Sequence, residues 1–126
     1  MTDETATGGP APFACDVGAI EPGRRGEHAA TTAELFRAVE SVRELPDGYA
    51  FRLAEGPDAL LRAARFIALE RLCCPFFGFA IEVEPDGGPL WLSLTGREGV
   101  KPFIRAEVGE HLGESLVKLD GSRPSI

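Results

Sequence analysis

The spacing of apolar residues along the chain predicts three helices separated by two pairs of strands. Positions i, i+4, i+7 and i+11 predict a first helix over residues 24–39, with a stripe made of His28, Thr32, Leu35 and Val39. A second helix begins at the Gly-Pro-Asp of residues 56–58 and ends before Pro75, and its predicted buried face is Leu60, Leu61, Ala64, Ile67, Ala68 and Leu72. A shorter helix is predicted over residues 100–108.

Alternation of apolar and polar residues predicts two hairpins, each turning at a Pro-Asp-Gly sequence that begins at Pro46 or Pro85. Proline presets φ for such a turn, and glycine accepts a positive φ. Because the order helix, strand, turn, strand occurs twice, the sequence predicts an α+β domain with the order αββαββα. We expect a two-layer sandwich, in which helices cover one face of a four-stranded antiparallel sheet.

The other face of this sheet is predicted to carry small residues around one large aromatic side chain. Its members are Ala50, Arg52, Gly78, Ala80, Glu82, Trp91, Ser93 and Thr95. Half-exposed tryptophan is common where two surfaces meet. The face is therefore expected to be a binding platform or a dimer surface, and a homodimer through Trp91 is the preferred interpretation.

The composition, with 44% apolar and 26% charged residues among 126, is that of one globular domain, predicted over residues 13–108. Residues 1–12 are expected to form a disordered leader and residues 109–126 a loosely ordered tail with His111 exposed. A net charge of −7 argues against nucleic acid or an anionic membrane as a partner. Without a signal peptide or a membrane-spanning stretch, the chain is expected in the cytoplasm, where thiols stay reduced.

Three cysteines, Cys15, Cys73 and Cys74, carry the chemistry that the sequence indicates. Reduced cytoplasmic cysteines are more often metal ligands or catalytic groups than bridges, and thiolates select soft ions such as Cu(I), Hg(II), Zn(II) or As(III). If Cys15 folds back beside the adjacent pair, three sulfurs meet, and either His28, which would complete a Cys3His set, or Glu70 is the further ligand. The preferred prediction is a protein that binds or handles a soft metal ion, with a metal ion or small molecule as its partner.

Two alternatives remain open from the sequence. In the first, Cys73 or Cys74 is the nucleophile of a thiol-dependent enzyme, with Glu70 or His28 moving protons and Arg71 stabilising the thiolate. The negative end of the helix dipole opposes this, since it raises the pKa of a thiol at a helix C-terminus. In the second alternative the cysteines only pack beneath the aromatic residues that follow them, in a dimeric module that is not an enzyme.

The segment from Leu69 to Phe76 resembles a run, E-R-x-C-C-P-F, found in a family of small bacterial proteins. The resemblance extends over most of residues 13–106, through Cys15, the Pro-Asp-Gly-Tyr-Ala-Phe-Arg of residues 46–52 and the Leu-Trp-Leu-Ser-Leu-Thr-Gly of residues 90–96. It implies membership of that family, but it brings with it no activity and no catalytic residues.

Overall fold

Over the part of the chain that the structure describes, three helices and four strands follow one another in the order αββαββα, as the sequence predicts. In this computed structural model, which describes residues 13–54 and 56–112, the elements are α1 (Pro22–Arg37), β1 (Val39–Leu45), β2 (Gly48–Leu53), α2 (Pro57–Cys73), β3 (Gly78–Val83), β4 (Leu90–Thr95) and α3 (Val100–Leu112). A short 3-10 turn, Val17–Ala19, precedes α1. The predicted leader, residues 1–12, and residues 113–126 of the predicted tail lie outside the described residues.

The four strands form one antiparallel sheet in the order β1-β2-β4-β3, so the two predicted hairpins lie side by side. One row across the sheet pairs Val42 with Phe51, Phe51 with Leu92 and Leu92 with Ile81. The register at the first turn requires glycine, because a Cβ on Gly48 would lie 1.9 Å from the carbonyl oxygen of Leu94. This close approach places β2 firmly against β4 in the centre of the sheet.

The helices pack on one face of the sheet, and their apolar residues form the core with every second strand residue. Phe36 of α1 lies edge-on to Phe51 of β2 and to Phe66 of α2, with ring centroids 5.2 and 5.4 Å apart. Edge-to-face contacts at such distances are favourable beyond the area that they bury. Ile104 brings α3 into the same cluster.

The predicted buried face of α2 is wrong by one position. Leu60, Leu61 and Leu72 are 41%, 59% and 45% exposed, and the residues that pack inward are Ala59, Ala63, Phe66, Leu69, Glu70 and Cys73. Both stripes have helical spacing, but only the second includes Phe66. Burying that large aromatic side chain stabilises the fold more than burying a leucine, so the helix takes the rotation that does so.

Three helix boundaries also differ from the predicted ones, the first being the start of α1, which lies at Pro22 instead of residue 24. Helix α1 ends at Arg37, so Val39 of the predicted stripe belongs to β1 instead. Helix α3 continues to Leu112, and residues 109–112, predicted to lie in a loose tail, are helical with Gly109 and Leu112 buried. The apolar stripe through Val108 and Leu112 is what extends this helix.

The interpretation of Trp91 as a half-exposed platform residue is wrong, since only 7% of it is exposed. The guanidinium of Arg43 lies over the indole ring, 4.1 Å from its centroid. This cation–π contact buries Trp91 within its own chain. Dimerisation through the face stays a prediction.

Candidate functional site

A disulfide joins the N-terminal arm, residues 13–20, to the end of α2. It links Cys15 to Cys74, whose Cα atoms lie 4.7 Å apart, and Cys73 is the free cysteine. The expectation of three reduced thiols is therefore wrong for two of them. That expectation followed from a predicted compartment, whereas the bond depends on a fold contact between residues 59 positions apart.

The arm is held against the domain by contacts that do not involve sulfur. The backbone N–H of Asp16 donates to the carbonyl oxygen of Cys73 at 2.8 Å. The ring of Phe13 lies edge-on to Phe76, with centroids 5.2 Å apart, and Ile20 is 1% exposed. Arg25 donates to the carbonyl oxygen of Ile20 at 2.9 Å. These contacts keep Cys15 beside the end of α2 independently of the disulfide.

The end of α2 sets the directions of the two adjacent cysteines. Cys73 is the last helical residue, and Cys74 caps the helix by donating its N–H to the carbonyl oxygen of Glu70 at 2.8 Å. Pro75 prevents the helix from continuing. Phe66, Glu70 and Cys73, at i, i+4 and i+7, consequently share the buried side of the helix, as their spacing predicts.

Glu70 is a buried carboxylate that accepts two hydrogen bonds at the same oxygen. Nε2 of His28 donates to Oε1 at 2.8 Å, and the thiol of Cys73 donates to it at 3.7 Å. The imidazole of His28 also stacks on the ring of Phe66. A buried carboxylate needs such partners, and they fix its orientation toward the sulfur atoms.

The free thiol of Cys73 is strongly held in its protonated form. Burial raises the pKa of Cys73 to about 12, with further raising contributions from the Glu70 and Glu107 carboxylates and from the hydrogen bond to Glu70. The prediction that the pKa of this thiol is raised is thus correct. The causes are burial and nearby carboxylates, whereas the sequence analysis gave the helix dipole as the cause. Arg71, offered in the sequence analysis as an offsetting charge, is exposed.

A cavity of about 250 Å³ opens beside the sulfur atoms, between the arm, α1, the end of α2 and α3. It is lined by Cys15, Val17, Ile20, Arg25, His28, Ala29, Thr32, Glu70, Cys73, Glu107, Glu110 and His111. We call it the cysteine cavity. Burial, together with the Glu70 and Glu110 carboxylates, raises the pKa of Glu107. Three carboxylates, those of Glu70, Glu107 and Glu110, thus line the cavity beside the sulfur atoms.

The structure brings Cys15, Cys73, Cys74 and Glu70 into one group, whose ligand atoms all lie within 4.8 Å of one another. The sulfur atoms of Cys73 and Cys74 are 3.4 Å apart. His28, the predicted fourth ligand, lies behind Glu70 instead of in the group. This cluster can hold a metal ion, although the Cys15–Cys74 bond occupies two of its sulfur atoms.

Sequence reasoning missed three side chains of the cysteine cavity that come from α3, namely Glu107, Glu110 and His111. Glu107 was assigned no role, and His111, predicted to be exposed, is 22% exposed and pairs with Glu110. The missed signal was the i, i+4 spacing of Glu107 and His111, which puts them on one side of a helix that continues to Leu112.

Comparison of this chain with protein-family models, curated proteins and solved structures finds no match. Among the described residues, no helix has the length and apolar character needed to cross a membrane.

Proposed function

We propose that the protein binds one soft metal ion through Cys15, Cys73 and Cys74 when the disulfide is reduced, with Glu70 as an oxygen ligand. The observation that carries this proposal is the convergence of three sulfurs and one carboxylate within 4.8 Å. Thiolates select Cu(I), Zn(II), Hg(II) or As(III) over hard cations, and three sulfurs with one further ligand suit a tetrahedral ion.

Reduction of the disulfide is required, because a disulfide sulfur has no thiolate charge to offer a metal. The arm contacts made by Phe13, Asp16 and Ile20 do not depend on the bond. The Cys15 thiol released by reduction is thus expected to stay beside the other two. Such preorganisation lowers the entropic cost of assembling the ligands.

The surroundings of the cluster favour a cation. Glu70 and Glu107 face the thiols, and a bound ion would neutralise the repulsion that raises the pKa of Cys73 and of Glu107. A coordinating thiol is deprotonated by its metal, so the protonated Cys73 is no obstacle to binding. The hydrogen bond from His28 orients the Glu70 carboxylate, as partners of metal ligands commonly do.

The same observations weigh against Cys73 as an enzymatic nucleophile. An activated cysteine is partly exposed and has a lowered pKa, whereas Cys73 is 3% exposed with a pKa of about 12. Glu70 raises that pKa, and therefore does not act as an activating base in this state.

The test is metal uptake by the reduced and the oxidised forms of the same chain. Protein reduced with dithiothreitol and freed of reductant without oxygen is titrated with Cu(I), Zn(II) and As(III), and uptake is followed by native mass spectrometry. We expect one ion per reduced chain for at least one of these metals. The oxidised form, which keeps only Cys73 as a thiol, should bind at least about a hundredfold more weakly, because losing two coordinating sulfurs costs more than the roughly 10- to 100-fold lost with a residue that only orients a ligand.

Cys73→Ser in the reduced form distinguishes a site made of three sulfurs from nonspecific binding by the two remaining thiols. It should weaken uptake by a similar factor, while Ser93→Ala, a small change on the opposite face of the sheet, leaves uptake unchanged. Equal uptake by the reduced and oxidised forms, or by wild type and Cys73→Ser, would contradict the proposal. Circular dichroism of each form verifies that the chain remains folded.

A further inference from the structure

The three cysteines differ in access from solvent, and this decides where the disulfide can be opened. Cys74 is 0% exposed and Cys73 is 3% exposed, whereas Cys15 is only partly buried. Cys15 lines the cysteine cavity, and Cys74 does not. In thiol–disulfide exchange the attacking thiolate must reach one sulfur of the bond, so access selects which sulfur is attacked.

We propose that the cysteine cavity is a thiol–disulfide exchange site, in which a small neutral or cationic thiol attacks the sulfur of Cys15 and the sulfur of Cys74 leaves. Within the proposed function, this reaction opens the metal site, and to that extent the inference rests on it. The exchange itself involves no metal and can be tested without one.

The electrons and protons of the reaction balance with two molecules of thiol. The first thiolate forms a bond to the sulfur of Cys15, while the bond from Cys15 to Cys74 breaks and Cys74 departs with the electron pair. A second thiolate then attacks the sulfur of the bound small thiol and releases Cys15. Two thiols are oxidised to one small disulfide, and their two protons end on Cys15 and Cys74.

Cys73 stands where it can assist the departure of Cys74. Its sulfur lies 3.4 Å from that of Cys74, and its one S–H, which donates to Glu70 in the oxidised protein, can turn to donate to the departing thiolate. Leaving-group stability sets the rate of exchange together with access. This gives the buried, unreactive thiol a positioning role in the oxidised protein.

The charges around the cavity select the attacking thiol. Glu70, Glu107 and Glu110 line it against Arg25, with the imidazoles of His28 and His111 also present. The Arg25 guanidinium donates to backbone carbonyl oxygens of the arm. Carboxylates outnumber the permanent cation, so the doubly negative thiolate of a sulfonate-bearing thiol approaches against more repulsion than the thiolate of an ammonium-bearing thiol, which has no net charge.

The experiment treats the oxidised protein with cysteamine, 2-mercaptoethanol or 2-mercaptoethanesulfonate, followed by an acid quench and peptide mapping of the mixed disulfide. We expect the small thiol on Cys15, both in wild type and in Cys73→Ser, where rearrangement through Cys73 is removed. Rates are expressed per thiolate and relative to the same thiol reacting with a short peptide disulfide. On this scale cysteamine should react several-fold faster than 2-mercaptoethanesulfonate.

A charge variant tests the selectivity against a matched control. Glu107→Gln should reduce the difference between cysteamine and 2-mercaptoethanesulfonate, whereas Glu98→Gln, with the same change in net charge but outside the cavity lining, should not. A mixed disulfide found on Cys74, or equal normalised rates for all three thiols, would overturn the proposal.

The two proposals fail in different ways. If the mixed disulfide maps to Cys15 and the reduced protein takes up no ion, the exchange site stands and the metal function falls. If the reduced protein binds an ion and the adduct maps to Cys74, the metal function stands and the exchange site falls.

Discussion

At the scale of single residues, the Cys73 thiol is surrounded by groups that disfavour its thiolate. It is buried, it donates to Glu70, and the Glu107 carboxylate adds further repulsion. Only a positive charge at the sulfur would reverse this balance, and a coordinated metal ion supplies one. The same environment that makes Cys73 a poor nucleophile thus suits a ligand that loses its proton only when a metal binds.

Alkylation measures this property of Cys73 directly. With a pKa of about 12, about one thiol in ten thousand is ionised at pH 8, compared with roughly a quarter of ordinary cysteines. The oxidised folded protein should therefore react with iodoacetamide more than about a hundredfold more slowly than free cysteine. The rate should rise with pH up to about 12, because the thiolate forms as pH approaches the pKa. Rapid labelling at pH 8, with the disulfide intact, would contradict this description.

Replacing Glu70 distinguishes a carboxylate that suppresses the thiolate from one that activates it. Glu70→Gln removes a charge that raises the pKa of Cys73, so alkylation of Cys73 at a fixed pH should become about three- to tenfold faster. Glu110→Gln, a carboxylate of the cavity that does not contribute to that shift, is the matched control. If Glu70 were a general base for Cys73, the substitution would slow the reaction instead.

At the scale of elements, the packing of α2 puts Phe66, Glu70 and Cys73 on one buried line. Leu61, on the stripe that the sequence favoured, is 59% exposed. The rotation of this helix decides whether the cysteine and the carboxylate face the core or the solvent. A single helix position separates a buried cluster from an exposed one.

Truncation of two side chains tests that rotation. Phe66→Ala should lower the free energy of unfolding by about 3–5 kcal/mol, because it removes a fully buried ring. Leu61→Ala should change it by less than about 1 kcal/mol, as expected for an exposed position. Urea denaturation gives both values. A larger loss for Leu61→Ala than for Phe66→Ala would mean that the helix presents the other stripe to the core.

The packing of the sheet depends on the absence of a side chain at Gly48. Gly48→Ala places a Cβ against the backbone of β4, and we expect it to cost about 2 kcal/mol or more in unfolding free energy. Gly26→Ala is the matched control, because nothing lies within 4 Å of its Cβ and alanine favours a helix. That variant should stabilise α1 by about 0.5–1 kcal/mol. Equal effects at the two positions would contradict the close packing of β2 on β4.

At the scale of the whole molecule, the disulfide ties the arm to the domain and closes a loop of nearly half the chain. The bond joins residues 59 positions apart, and a loop of that length corresponds to about 4 kcal/mol of chain entropy at 25 °C. Because the arm has its own polar and aromatic contacts, we expect the reduced protein to remain folded. The disulfide therefore adds stability without being the sole source of the arm's position.

Reduction should lower the free energy of unfolding, and addition of metal to the reduced protein should raise it again. The reduced protein should unfold at a lower temperature, because its free energy of unfolding is expected to be up to about 4 kcal/mol smaller than that of the oxidised form. A bound ion should recover part of that loss in proportion to the logarithm of its concentration. Thermal unfolding followed by circular dichroism measures both changes. Complete unfolding on reduction at 25 °C would contradict the independent attachment of the arm.

The sequence predicted the architecture because periodicity and turn chemistry act locally. The helix and strand order, both hairpins and the end of α2 before Pro75 could be derived from neighbouring residues. The buried face of α2 could not, since two stripes had equal spacing and tertiary packing of Phe66 chose between them. The extension of α3 to Leu112 was missed because its glycine and charges suggested a tail.

The sequence pointed to the three cysteines of the candidate site and was wrong about the oxidation state of two of them. The adjacent pair pointed to Cys73 and Cys74, and the sequence required a fold contact to add Cys15. That contact exists, but it closes a bond that spacing alone does not reveal. His28 contacts the cluster only through its hydrogen bond to Glu70. Such an indirect position depends on side-chain packing, which a sequence pattern does not contain.

In the function that we propose, three sulfurs hold one ion in the reduced protein, and X-ray absorption at the zinc edge counts them. The reduced chain loaded with one equivalent of Zn(II) should show three sulfur scatterers at about 2.3 Å and one lighter atom at about 2.0–2.2 Å. Cys73→Ser should lower the sulfur count to two. A shell made only of oxygen and nitrogen, or a sulfur count that does not change in Cys73→Ser, would contradict the account.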